Sequence, residues 1–162
     1  MKRNLEGRVT RAHWHVGFLG LGLCFILRSV ASGAEANWTN RLAGSWTCVS
    51  ATVNGKPLSN TSVEKLRLTL TAQRYKTQRK DEVLFDSTYR LDVTTVPARI
   101  NMIGTEGELT GKEAQGILSL TNDVLTICYT MPGKPRPVKF ESTVGSEAHL
   151  AVWKRASRPE QP

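Results

Sequence analysis

The chain has 162 residues, with 22 Lys+Arg against 14 Asp+Glu and 40% hydrophobic residues. That is enough for one domain of ordinary core size, and too ordinary in charge and apolar content for a disordered chain, a collagen or a repeat solenoid. The formal net charge of +8 would point to nucleic acid only if it were concentrated on the folded part, and much of it sits at the N-terminus.

Lys2, Arg3, Arg8 and Arg11 precede an uncharged apolar run over residues 16–27. The run is shorter than the roughly 20 residues of a membrane-spanning helix and fits the about 7–15 of a signal-peptide core. Small residues follow at 31–34, so residues 1–34 read as an export signal cleaved after Gly33 or Ala34. Arg28, just behind the core, leaves an uncleaved N-terminal membrane anchor as the alternative. The expected destination is the periplasm or the medium. Removing residues 1–34 leaves 17 Lys+Arg against 13 Asp+Glu, a net charge of about +4. These charges alternate with Thr, Leu and acids, and the most basic stretch, residues 74–80, runs straight into Asp81 and Glu82. The pattern describes a solvated face and predicts no nucleic-acid partner.

The remainder divides into a short linker (35–40), one domain (41–155) and a disordered tail (156–162). Residues 45–53 are rich in β-branched and aromatic types and stop at the turn dipeptide Asn54-Gly55, which predicts a first strand. Thr61 to Glu64 has capping-box spacing and predicts one helical turn. Leu66, Leu68 and Leu70 then alternate with Arg67 and Thr69, as a strand with one apolar face does. Further strands are predicted over 75–79, 83–91, 98–103, 113–120, 124–129, 138–142 and 149–155, separated by Gly, Pro, Asn and Asp clusters. About nine short strands without a long helix predict an all-β antiparallel barrel or sandwich.

Gly44 and Trp46 open the first strand and Arg155 closes the last. In a closed barrel the two strands are neighbours, which would place the Arg155 guanidinium over the Trp46 indole as a structural lock at the barrel floor; the alternative is a solvated charge at a frayed strand end. Without residues 1–34, the cysteines left are Cys48 and Cys128. In an exported chain they are either a disulfide or two separate buried thiols. His149 is the one histidine beyond residue 34, and no Cys-x-x-Cys is present, so no metal site is expected. Glu106, Glu108 and Glu113 fall in or beside a Gly-rich loop and read as solvated carboxylates. No nucleophile elbow, zinc-protease, phosphate-loop or dinucleotide motif occurs. No cofactor and no catalysis are therefore expected.

The ordered set Leu42-x-Gly44-x-Trp46, Asn54-Gly55-Lys56, Tyr89-x-Leu91-Asp92, Pro97-x-x-Ile100, Gly116-Ile117, Asn122-Asp123-x-Leu125-x-Ile127-Cys128-Tyr129, Pro132-Gly133, Arg136-Pro137-x-x-Phe140 and residues 150–155 carries a resemblance. It is similar to an uncharacterised lipocalin-like domain family expanded in Planctomycetes, over about residues 41–155. The resemblance departs at Asn101, where that family usually has Asp, and at Leu118, where it usually has Tyr. It implies a lipocalin-like β-barrel of about 8–9 strands, often in exported proteins, and no established activity. It also makes Cys128 a family feature and Cys48 not.

Three kinds of function follow. A barrel of this size holds one small apolar molecule in its interior or mouth, with Leu66, Leu68, Leu70 and Tyr89 as lining, unless those side chains fill it. A cell-envelope interaction module would use the Pro-rich loop 132–137, with Lys134 and Arg136 meeting an acidic partner. An enzyme has the least support.

Overall fold

The computed structural model describes residues 24–157, with side chains from residue 33 onward. A helix, α1 (Cys24–Leu42), leads into β1 (Gly44–Val53), β2 (Lys56–Pro57), α2 (Asn60–Val63), β3 (Leu66–Leu70), β4 (Arg74–Arg79), β5 (Glu82–Asp92), β6 (Ala98–Gly104), β7 (Glu113–Thr121), β8 (Val124–Thr130) and β9 (Ala148–Arg155). Every adjacent pair is antiparallel, and β9 pairs back onto β1 from Trp46↔Arg155 to Val53↔His149. Eight strands thus close into a barrel and β2 is an extra strand hydrogen-bonded to the end of β1. Closure leaves no long edge exposed to other chains.

Local chemistry sets the turns. Asn54 and Gly55 both have positive φ, as do Asn122 and Asp123. Each pair is the two-residue loop whose backbone twist matches antiparallel strands. The short helix is where Thr61–Glu64 predicts it, but the capping position is Ser59, two residues earlier, with no side-chain cap bond.

Alternation decides what faces inward. Leu66, Leu68 and Leu70 of β3, Tyr89 and Leu91 of β5, Ile100 and Met102 of β6, and Leu125 and Ile127 of β8 are buried in one cluster with Trp46 and Trp153. On β1 the alternation is broken by a bulge: Cys48 pairs with Trp153 and Ser50 with Val152, so Val49 is the extra residue and is exposed. The bulge shifts the inward phase from Trp46 and Cys48 to Ala51 and Val53.

Residues 138–142, expected as a strand, pair with no strand and lie in a strap between β8 and β9. Pro132, Pro135 and Pro137 remove amide donors from the segment that leads into it. Instead Phe140 packs over Ile117, Cys128 and Ala148 on the outside of the barrel. Arg136 pins the strap by donating to the Ile100 carbonyl at 3.0 Å, the Gly116 carbonyl at 2.6 Å and Asn101 Oδ1 at 2.6 Å.

The expected linker 35–40 is part of α1, whose Trp38 and Leu42 pack on the barrel core. Residues 1–23 of the expected export signal and 158–162 of the expected tail lie outside the described residues, and residues 24–34 belong to α1. Ala156 itself donates its N–H to the Ser45 carbonyl. Among the described residues no helix is long and apolar enough to cross a membrane.

Candidate functional site

The two ends of the barrel differ because of which residues the inward positions carry. At the α1 end, Trp46 is fully buried in the interior; its Nε1–H donates to the Leu42 carbonyl at 3.0 Å. The Arg155 guanidinium carbon sits 4.2 Å from the indole centroid. Arg155 Nε donates to Asp123 Oδ1 at 2.7 Å, Nη1 to the Ala43 carbonyl at 2.9 Å, and Nη2 to the Arg41 carbonyl. Gly44 is required beneath it: φ is +131°, and a Cβ would meet Arg155 Nη1 at 3.2 Å. Gly44, Trp46 and Arg155 together close the floor.

At the opposite end the inward positions are small. Ala51 of β1 and Ala151 of β9 are direct cross-strand partners. Two methyl groups where neighbouring layers carry Trp or Leu leave a cavity of about 360 Å³. Leu58, Leu66, Tyr75, Phe85, Tyr129, His149 and Trp153 line it. It reaches the surface beside Arg79 and Leu84, both exposed. Phe85 and Tyr129 stack at 6.3 Å and 13°, and Tyr129 and His149 at 4.9 Å and 25°, so three rings stand nearly parallel. Tyr75 meets Phe85 edge-on at 6.0 Å.

Burial keeps this wall uncharged. Desolvation pushes the Tyr129 phenol up to about 12 and raises the Tyr75 phenol well above its ordinary value. The same effect lowers His149, so near neutral pH it is the uncharged imidazole, with Nδ1 3.4 Å from the Tyr129 hydroxyl. Two polar groups belong to the wall: Thr77 is buried, and Trp153 Nε1–H is buried with no hydrogen-bond partner among the described residues. An orphaned buried donor costs about 1–3 kcal/mol.

The sequence-predicted residues distribute as follows. Leu66, Leu68, Leu70 and Tyr89 are all interior, but only Leu66 reaches the cavity; the others fill the barrel around Trp46. Tyr89 is further tied down, its hydroxyl donating to the Thr71 carbonyl at 2.7 Å. Cys48 and Cys128 are free thiols. Cys48 packs against the interior cluster and Cys128 against the strap outside the wall, so the sheet itself separates them and no disulfide joins them. Lys134 pairs with Glu147 at 2.8 Å and Arg136 pins the strap, so both are engaged within the chain. Sequence reasoning missed Ala51, Thr77, Phe85, Tyr129, Ala151 and Trp153. The signal for them was small residues at inward positions of the first and last strands, legible only with the bulge and the register known.

In comparisons with protein-family models, with curated proteins and with solved structures, nothing matches this chain. Among the described residues no group of three or more His, Cys, Asp or Glu side chains is placed to hold a metal ion.

Proposed function

We propose that this chain is an exported, lipocalin-like barrel of the kind its sequence resembles, and that it holds one small apolar molecule without catalysis. The cavity at the Ala51–Ala151 end carries the reading. Its volume of about 360 Å³ falls within the roughly 300–1,000 Å³ of small-molecule sites, and its aromatic and aliphatic lining with a few polar groups is their usual composition. A second reading, an envelope docking module, draws on Val96 and Val138, which are exposed beside a shallow groove over Arg136.

The test is to produce the full chain in an export-competent host and identify co-purifying small molecules by native and denaturing mass spectrometry, alongside Ala151→Phe, which fills the cavity. The expected result is a stoichiometric apolar adduct on the wild type that is absent from the folded variant. A clean apo mass, with no thermal shift of the wild type across a panel of lipids and metabolites, would overturn the small-molecule reading in favour of the docking module.

A further inference from the structure

Charges that alternate with neutral residues along a strand are not dispersed, because period two puts them on one face. Arg67 lies between the buried Leu66 and Leu68, and Arg74 and Lys76 flank the buried Tyr75. Arg90 lies between Tyr89 and Leu91, Arg99 between Ala98 and Ile100, and Lys154 follows Trp153. All six therefore stand on the outer wall of the barrel.

The register sets them in one line. Thr47 pairs with both Lys154 and Arg67. From Arg67, Lys76 is one strand across and two residues along; Arg90 stands in the same relation to Arg74, and Arg99 to Arg90. Sheet geometry makes each step about 7–10 Å, so the six form a diagonal stripe. Arg74 is neutralised by Asp86 at 2.7 Å, whose side chain is 3% exposed. The other five form no ion pair with any described residue. Asp92, opposite Arg99, accepts from the N–H and the hydroxyl of Thr94 in its own turn. Glu64, Asp81, Glu106, Glu108 and Glu141 fall in turns and loops at the cavity end, away from the stripe.

The residues around the charges decide the kind of anion. Thr69, Gln78 and Thr88 stand among them, polar and uncharged. The aromatic neighbours Tyr75, Tyr89 and Trp153 face inward, so unpaired bases would find no ring to stack on. A closed wall also offers no helix or free ribbon to enter a duplex groove. The stripe lacks the apolar anchors that hold membrane surfaces and protein partners. A linear acidic polysaccharide needs none of these: its charges meet the bases, and its hydroxyls meet Thr69, Gln78 and Thr88.

We infer that the outer wall binds a linear carboxylated polysaccharide along the stripe from Lys154 to Arg99. The surface is separate from the cavity, and the inference does not rest on what the cavity holds.

Oligogalacturonate, with one carboxylate per sugar, and its methyl ester, with the same backbone uncharged, are titrated onto the full chain. The wild type is expected to bind the acid and not the ester. The triple variant Arg67→Gln, Lys76→Gln, Arg90→Gln is expected to bind the acid about tenfold or more weakly, since each exposed charge contact contributes a factor of about 2–5. A second triple variant, Lys56→Gln, Lys65→Gln, Lys112→Gln, removes the same net charge from exposed positions at the cavity end. Screening beyond about 10 Å limits its expected effect to less than about threefold. In ¹H–¹⁵N spectra of the wild type, amides of β3, β4 and β5 are expected to shift with the acid and those around the cavity mouth are not, a readout that does not depend on a variant folding. Equal weakening of the two folded variants, or shifts gathered at the mouth, would show that net charge alone acts and overturn the stripe. Equal binding of acid and ester overturns the charge assignment, and tighter binding of an oligothymidylate of equal charge overturns the polysaccharide class. No binding of the acid overturns the inference and leaves the cavity reading as it stands.

Discussion

Replacing Arg155 with Met keeps the length of the aliphatic stem over Trp46 and removes the guanidinium. Four interactions are lost: the indole contact at 4.2 Å, the two bonds to the Ala43 and Arg41 carbonyls, and the ion pair with Asp123. The ion pair contributes little, because the Asp123 side chain is 67% exposed, and exposed pairs give about 0–1 kcal/mol. The cation over the indole contributes about 1 kcal/mol at a partly covered site. Water replaces part of the donation to the two carbonyls, which leaves about 1 kcal/mol for both. The expected loss is about 2–3 kcal/mol, a fall in Tm of about 10 °C for a barrel of this size. Urea unfolding followed by tryptophan fluorescence and far-ultraviolet circular dichroism measures it, with Arg155→Lys expected between wild type and Arg155→Met because it keeps the charge without the fork. A loss under about 0.5 kcal/mol, the range of an ordinary surface substitution, would show that Arg155 is a solvated charge at a strand end and refute the lock.

Gly116→Ala adds a Cβ 2.7 Å from the Cys128 carbonyl oxygen and 2.8 Å from the Tyr129 Cβ; a destabilisation of about 1–3 kcal/mol is expected from overpacking, read by the same urea titration. Arg136→Ala removes the donor shared by the Ile100 and Gly116 carbonyls and Asn101. The strap should loosen, so Cys128, which is buried beneath it and donates to the Glu141 carbonyl at 3.3 Å, should react faster with a thiol reagent, as followed by peptide mass spectrometry. Equal labelling rates would show that the strap is held without Arg136. His149 has a folded-state pKa below its ordinary value because of desolvation. The unfolded chain therefore binds more protons around pH 6.5, and the stability present above that pH is lost as pH falls through the folded pKa. The difference between wild type and His149→Phe isolates this slope from that of other groups; parallel pH profiles from pH 8 to 5 would mean that His149 titrates as freely in the barrel as in the unfolded chain.

The sequence by itself determined the strands, most of their bounds and the turns, because these depend on local chemistry. Alternation at Leu66, Leu68 and Leu70 and the dipeptides Asn54-Gly55 and Asn122-Asp123 act within a few residues of themselves. Trp46 with Arg155 was legible too, since barrel closure fixes the neighbour of the first strand before any register is known. The strap was misread as a strand because Phe140 is apolar for a tertiary reason, to cover Cys128 and Ile117 on the outer wall, and local pattern does not separate the two causes. The cavity was decided by tertiary structure alone. It exists because one extra residue on β1, Val49, shifts the inward phase and sets Ala51 opposite Ala151, about a hundred residues apart in the chain. A missing volume leaves no pattern in a sequence, and it appears only when two small side chains are brought face to face where larger ones would have met.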